Sequence, residues 1–265
     1  MFDKKVSIIG CGNIGLSLLQ GLLKDKTIPA NNITATRRNI QELAHLKEYG
    51  VRLTTDNISA VEESDLILVA VKPYNIVNIL EEIKDHLNPT RHILISVTAG
   101  VTFCQIQDVV RTSVPIFRAM PNISASVGKS VSCICHNGAN TKDIESVKYL
   151  FDIIGTTMTI DEELMESATI LGACGIAYVL RFIRAMIQGG IQIGFDARTA
   201  SAIVNQTVKG AAELLIERGK HPEFEIDKVT TPKGCTIVGL NEMEHNGFSS
   251  SLIRGIVASY EKIEK

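Results

Sequence analysis

The chain has 265 residues, 45% of them hydrophobic and 21% charged, enough to bury a substantial core and to form one ordinary domain and one smaller one. A formal net charge of −2 leaves none of the basic excess that draws nucleic acid or an anionic membrane surface, so neither partner is expected. No apolar run approaches the ~20 residues of a membrane span, and Met1 to Lys5 leads straight into a strand, so a cytosolic protein without a signal peptide is expected.

The first element is the apolar strand Val6-Ser7-Ile8-Ile9, running into Gly10-Cys11-Gly12-Asn13-Ile14-Gly15 and then a helix over Leu16 to Leu23. A strand, a Gly-x-Gly-x-x-Gly turn and a helix form a cradle for a dinucleotide pyrophosphate. Gly10 permits the tight bend, Gly12 lets phosphate approach the backbone amides, and Gly15 lets the helix pack close. The helix N-terminus then offers unpaired N–H donors and the positive end of its dipole.

The second strand, Ile33 to Thr36, ends in Thr36-Arg37-Arg38. An NAD site usually places Asp or Glu there to accept from the ribose hydroxyls, and no carboxylate stands in this stretch. Two guanidiniums and a hydroxyl suit a 2′-phosphate instead, so NADPH is expected, with NADH as a second cofactor.

A helical segment over Ile40 to Tyr49 follows, then strands at Val51 to Thr54, Leu66 to Val71, Ile93 to Val97 and Ile116 to Ala119, with helix over Val77 to His86. This alternation predicts a parallel, doubly wound sheet with helices on both faces. Three strand ends carry distinctive loops: Lys72-Pro73, Thr98-Ala99-Gly100-Val101 and Pro121-Asn122. In such a sheet the ligand lies beyond the carboxyl ends of the strands, so these loops converge on one crevice. Small residues at Ala99 and Gly100 leave room for a flat nicotinamide ring, and Asn122 offers it an amide.

Ser130 to Cys135 and Thr157 to Ile160 add strands around a helix at Asp143 to Ile153. After Asp161 the strand signal fades. Glu162 to Gln188, Ala197 to Arg218, Ile237 to Glu244 and Ser250 to Ile263 carry apolar residues at helical spacing, which predicts a helical bundle. Gly189-Gly190 reads as a helix end. The expected division is a dinucleotide-binding domain over 1–160 and a helical domain over 161–265.

Six cysteines, at 11, 104, 133, 135, 174 and 235, show no Cys-x-x-Cys spacing and read as buried thiols. No His-Glu-x-x-His helix appears, and no metal is expected. His221 reads as a loop or capping residue. Tyr178 reads as core or subunit interface, with a hydroxyl that needs a partner. Pro232-Lys233-Gly234-Cys235-Thr236 stands just before an apolar helix, where backbone N–H groups can bind a carboxylate. Thr236 has two readings there, a simple N-cap or a hydroxyl beside a substrate nitrogen.

Taken together, the glycine turn, Val71-Lys72-Pro73, Ser96 to Val101 and Arg118-Ala119-Met120-Pro121-Asn122 resemble the first domain of the pyrroline-5-carboxylate reductase family. Ala173 to Tyr178, His221-Pro222 and Val229 to Ile237 resemble its helical domain in order and spacing. The resemblance implies NAD(P)H-dependent reduction of a cyclic imine, the last step of proline biosynthesis. It also implies a homodimer formed through the helical domains, often built into larger rings. The implied catalytic residue is Thr236 and the implied substrate-binding residues are Gly234, Cys235 and Thr236. The cofactor set is Gly10, Gly12, Asn13, Ile14, Gly15, Thr36, Arg37, Arg38, Asn57, Val71, Lys72, Pro73, Ala99, Gly100 and Asn122. Cys174, Ile176 and Lys233 stand where the family usually has Ser, Pro and Gly, which leaves room for a related imine as substrate. Two further readings are a hydroxyacid-type dehydrogenase, which typically needs a general acid or base such as Lys on its central helix, and an NADPH-binding protein without turnover.

Overall fold

The computed structural model describes residues 3–263. They pack as two units, one running to Ala173 and including Ile263, the other Cys174–Lys262.

The first unit is built on an eight-stranded sheet in the order β3-β2-β1-β4-β5-β6-β7-β8. The strands are β1 Val6–Ile9, β2 Ile33–Thr36, β3 Arg52–Thr54, β4 Leu66–Val69, β5 Ile93–Ser96, β6 Ile116–Met120, β7 Ser130–Asn137 and β8 Gly155–Thr159. Between them lie α1 Asn13–Asp25, α2 Asn57–Glu62, α3 Ile76–Ile83, α4 Phe103–Val110 and α5 Thr141–Asp152, with Ile40–Tyr49 a 3-10 stretch. Every residue of β1, β2, β4, β5 and β6 is buried, as the near-continuous apolar runs of a sheet covered on both faces require. On one face Ile8, Ile33, Leu68 and Phe117 pack with Leu18, Leu22 and Phe151. On the other, Ile67, Val69 and Leu94 pack with Ile76, Leu80 and Ile106.

β1 to β6 are parallel to one another, as the alternation predicts, whereas β7 runs antiparallel to β6. The reason lies in the connection. Pro121 to Lys129 holds only a short 3-10 turn, Ile123–Val127, too little chain for a crossover. β8 returns parallel to β7 through α5.

The short helices α2 and α4 lie outside the elements read from the sequence, although each carries a start signal. Asp56 accepts from the Ser59 amide at 3.0 Å. Thr102 and Gln105 form a reciprocal capping box at α4.

A 31-residue helical stretch, Glu162–Gln192, follows β8. It comprises a 3-10 turn Glu162–Leu164, α6 Met165–Ala168, a π-helical stretch Thr169–Cys174 and α7 Gly175–Gln192. By length and composition alone this stretch is long and apolar enough to cross a membrane, a test that a search for unbroken apolar runs does not apply. Arg181 and Arg184 break the run in the sequence, yet they are the only charges between Ser167 and Gln192.

The second unit contains α7, α8 Ala197–Arg218, α9 Pro222–Val229, α10 Cys235–His245 and most of α11 Phe248–Ile263. Gly189 and Gly190 do not end α7. It continues to Gln192, and Gly194, with φ +114°, follows it. A Cβ on Gly190 would come within 3.1 Å of Ala200 Cβ, so the glycine is there for close approach of α7 and α8. The Tyr178 hydroxyl finds its partner in Ser259 Oγ at 2.7 Å. His221 is the N-cap of α9, its Nδ1 accepting from the Glu223 amide at 3.3 Å.

Candidate functional site

β1 delivers the chain into Gly10 at φ +91°, a left-handed bend where any Cβ would also strike Val71 Cγ1 at 2.5 Å. The turn is then tied to the end of β2. The Gly10 amide donates to the Thr36 carbonyl at 3.2 Å and the Cys11 amide donates to it at 2.8 Å. Gly15 lies behind the turn, where a Cβ would sit 2.6 Å from the Gly10 carbonyl oxygen, so its role is close packing of α1. At Gly12 a Cβ would meet nothing within 4 Å, and α1 has no side-chain cap. Open space over uncapped amides is what an approaching phosphate needs.

The turn forms one wall of a cleft of about 760 Å³. Of the expected cofactor residues, Gly10, Gly12, Asn13, Ile14, Thr36, Arg37, Arg38, Asn57, Val71, Lys72, Pro73 and Ala99 line it. Gly15, Gly100 and Asn122 do not. Gly100 takes a left-handed φ of +70° at its exposed turn. Asn122 is 4% exposed and fully engaged. Its Oδ1 accepts from the Ser124 amide at 3.0 Å, and its Nδ2 donates to the Gly172 carbonyl at 3.0 Å. Its amide braces the loop through both its oxygen and its nitrogen.

The basic pair divides in two. Arg37 donates through NH1 to the Cys11 carbonyl at 2.7 Å and pairs through NH2 with Glu42. Arg38 is exposed and has no hydrogen bond or ion pair among the described residues. Lys72 is likewise exposed and unpaired at the cleft. Thr36 is 2% exposed and its hydroxyl donates to Asn57 Oδ1 at 2.7 Å, so it holds the wall together. Asn57 Nδ2 in turn donates to Glu82 at 3.0 Å. Burial pushes the Cys11 thiol up to about 12 against the pull of Arg37, which keeps it neutral inside the turn.

Glu42, Asn39, Thr55, Tyr74, Asn75 and Asn78 also line the cleft and were not read from the sequence. Asn39 precedes the 3-10 stretch and its Nδ2 donates to Glu42 at 3.0 Å, a spacing of cap and acid that marks a helix start.

In the middle of β6, Arg118 is 2% exposed and pairs with Glu162 at 2.9 Å and Glu166 at 2.8 Å. Glu162 also accepts the Phe103 amide at 2.7 Å, so one carboxylate joins β6, α4 and the start of the long helical stretch.

In the second unit, Lys233 takes φ +60° and Gly234 is the N-cap of α10. Gly234 donates to the Thr231 carbonyl at 2.9 Å, and a Cβ there would meet Thr231 Oγ1 at 2.6 Å. Because Gly234 fills the cap position, Thr236 is not the N-cap. Its hydroxyl has no hydrogen bond among the described residues, and no side chain caps the 11-residue helix that begins at Cys235. Cys104 and Cys235 are exposed, unlike the buried thiols expected, while Cys11 and Cys135 are buried.

The family model described as pyrroline-5-carboxylate reductase dimerisation matches residues 162–265. A second, described as NADP oxidoreductase coenzyme F420-dependent, matches residues 5–100. Pyrroline-5-carboxylate reductase 2 of Dictyostelium discoideum is 40% identical over 99% of this chain and 93% of its own length. Pyrroline-5-carboxylate reductase 1 of the same organism is 42% identical over 99% of the chain, which spans half of that longer protein. Among solved structures, Plasmodium falciparum pyrroline carboxylate reductase with NADP bound superposes with a TM-score of 0.88 at 27% identity, covering 99% of this chain and 98% of that one.

Proposed function

The chain belongs to the pyrroline-5-carboxylate reductase family, and from that premise we propose that it reduces 1-pyrroline-5-carboxylate to proline with NADPH. The observation that carries this reading is the cleft at the glycine turn, open above Gly12 and uncapped at α1, with Arg38 and Lys72 unpaired at its wall. Those features fit a dinucleotide with an extra phosphate.

When bound, NADPH supplies a hydride from its nicotinamide. The chain's own residues do the rest by binding and orientation. The amides at the start of α1 would hold the pyrophosphate, and Arg38 would pair with the 2′-phosphate. The Pro232 to Thr236 loop holds the substrate carboxylate through the amides of Gly234, Cys235 and Thr236. The Thr236 hydroxyl is directed at the ring nitrogen. A neutral hydroxyl is a weak acid near pH 7, so Thr236 orients the imine nitrogen and does not protonate it. Reduction of the imine would take that hydride and one proton from solvent to give the secondary amine.

A hydroxyacid-type dehydrogenase finds no support. α7 offers Arg181 and Arg184 and no Lys.

Function divides at 1–160 for the cofactor and 161–265 for dimerisation and substrate. The homodimer or larger homo-oligomer forms through the helical half, where Leu171, Val179, Leu180 and Ile193 are exposed within the single chain. Six free cysteines support a reducing, cytosolic setting. The test is loss of NADPH absorbance with pyrroline-5-carboxylate against a panel of hydroxyacids and their oxo forms. Turnover of the imine alone is expected.

A further inference from the structure

We infer that Glu42 sets the cofactor preference of this site, its carboxylate being the ribose-hydroxyl acceptor that the end of β2 lacks. The inference rests on the NADPH-dependent reading above and deepens it. In an open α/β sheet the adenosine ribose is read beyond the carboxyl end of the second strand. Thr36 is the last residue of that strand here, and it leads directly into Arg37 and Arg38. The chain then turns so that Glu42, from the following 3-10 stretch, lines the same cleft.

Two contacts fix this carboxylate. One oxygen pairs with Arg37 NH2. The other accepts Asn39 Nδ2 at 3.0 Å. Arg37 is itself anchored through NH1 to the Cys11 carbonyl of the glycine turn at 2.7 Å. The side chain is nonetheless half exposed, which leaves lone pairs free for a ligand.

A carboxylate with free lone pairs favours a diol, as in NADH, and opposes a phosphate dianion, as in NADPH. Arg37 offsets that opposition by neutralising Glu42. Arg38, exposed and unpaired, is the cation left for the phosphate. The site thus holds both readers, and Glu42 restrains a preference for NADPH that Arg38 creates.

The test is direct titration of NADPH and NADH by cofactor fluorescence, on the wild type and on Glu42→Gln, with no imine present. Glu42→Gln keeps the shape and removes the charge. It is expected to tighten NADPH and to weaken NADH, each by about three- to tenfold, the worth of one hydrogen bond or its removed repulsion. Arg38→Ala is expected to weaken NADPH and leave NADH unchanged. If Glu42→Gln shifts both cofactors equally, Glu42 only braces the Arg37 clasp and the inference is overturned. If the wild type binds neither cofactor, the cofactor reading falls and the inference falls with it.

Discussion

Asn122 Nδ2 donates to the Gly172 carbonyl at 3.0 Å, joining the loop after β6 to the π-helical stretch Thr169–Cys174. A π-helical stretch leaves backbone groups off the regular ladder, and the amide satisfies one of them. Asn122→Ala removes this bond and the cap to Ser124 together. We expect a loss of about 1–3 kcal/mol in urea unfolding, with the NADPH dissociation constant unchanged. Weakened NADPH binding at unchanged stability would return Asn122 to the nicotinamide.

The division of the arginines gives a second prediction. Arg37 holds the Cys11 carbonyl, a part of the turn that both cofactors use. Arg37→Ala should therefore weaken both cofactors, NADPH the more because Glu42 loses its counter-charge, whereas Arg38→Ala should cost NADPH alone about 1–3 kcal/mol. Isothermal titration of both variants with both cofactors separates them. A loss confined to NADPH in Arg37→Ala would make Arg37 the phosphate reader.

Assembly supplies the third. Leu180 is 55% exposed on α7, within the region matched by the dimerisation family. Leu180→Glu should shift the oligomer to a lower mass in light scattering and lower the melting temperature. A wild type that is a stable, active monomer at low micromolar concentration would count against the dimer.

The fourth concerns acid stability. His92 is 3% exposed, its Nδ1 accepts the Asn88 amide at 3.0 Å, and its Nε2 is buried without a partner. Burial first and the charge of Arg91 second hold its pKa below the usual 6.5, against a smaller upward pull from Asp65. The unfolded chain therefore binds the proton more readily. Stability contributed by neutral His92 is complete above about pH 6.5 and is lost as pH falls through the lower folded value. Denaturant midpoints between pH 7 and 5 should fall more steeply for the wild type than for His92→Gln. Parallel slopes would show that His92 does not carry the effect.

Much of this was legible in the residues. β2, β4 and β5 begin where Ile33, Leu66 and Ile93 place them, because a strand buried on both faces reads as an unbroken apolar run. The glycine turn was legible because each glycine has its own steric reason. Glu42 was hidden because it reaches the cleft through a 3-10 turn and not from the strand end, so spacing along the chain misses it. Asn122 has a bracing bond hidden for a different reason: the carbonyl it serves lies fifty positions away, at Gly172. The antiparallel β7 follows from the length of one connection, which a pattern of alternating elements does not weigh.

The central claim is that the Pro232 to Thr236 loop seats the imine. Steady-state NADPH oxidation with pyrroline-5-carboxylate, paired with a cofactor titration, tests it on Thr236→Ala and Lys233→Gly. Thr236→Ala should lower kcat/KM by about 10- to 100-fold through lost orientation of the ring nitrogen, with NADPH affinity intact. Lys233 holds φ +60°, where Gly is at ease, so Lys233→Gly should leave the fold in place and change kcat/KM less than Thr236→Ala does. Full activity in Thr236→Ala, or loss of NADPH binding in it, would contradict the account.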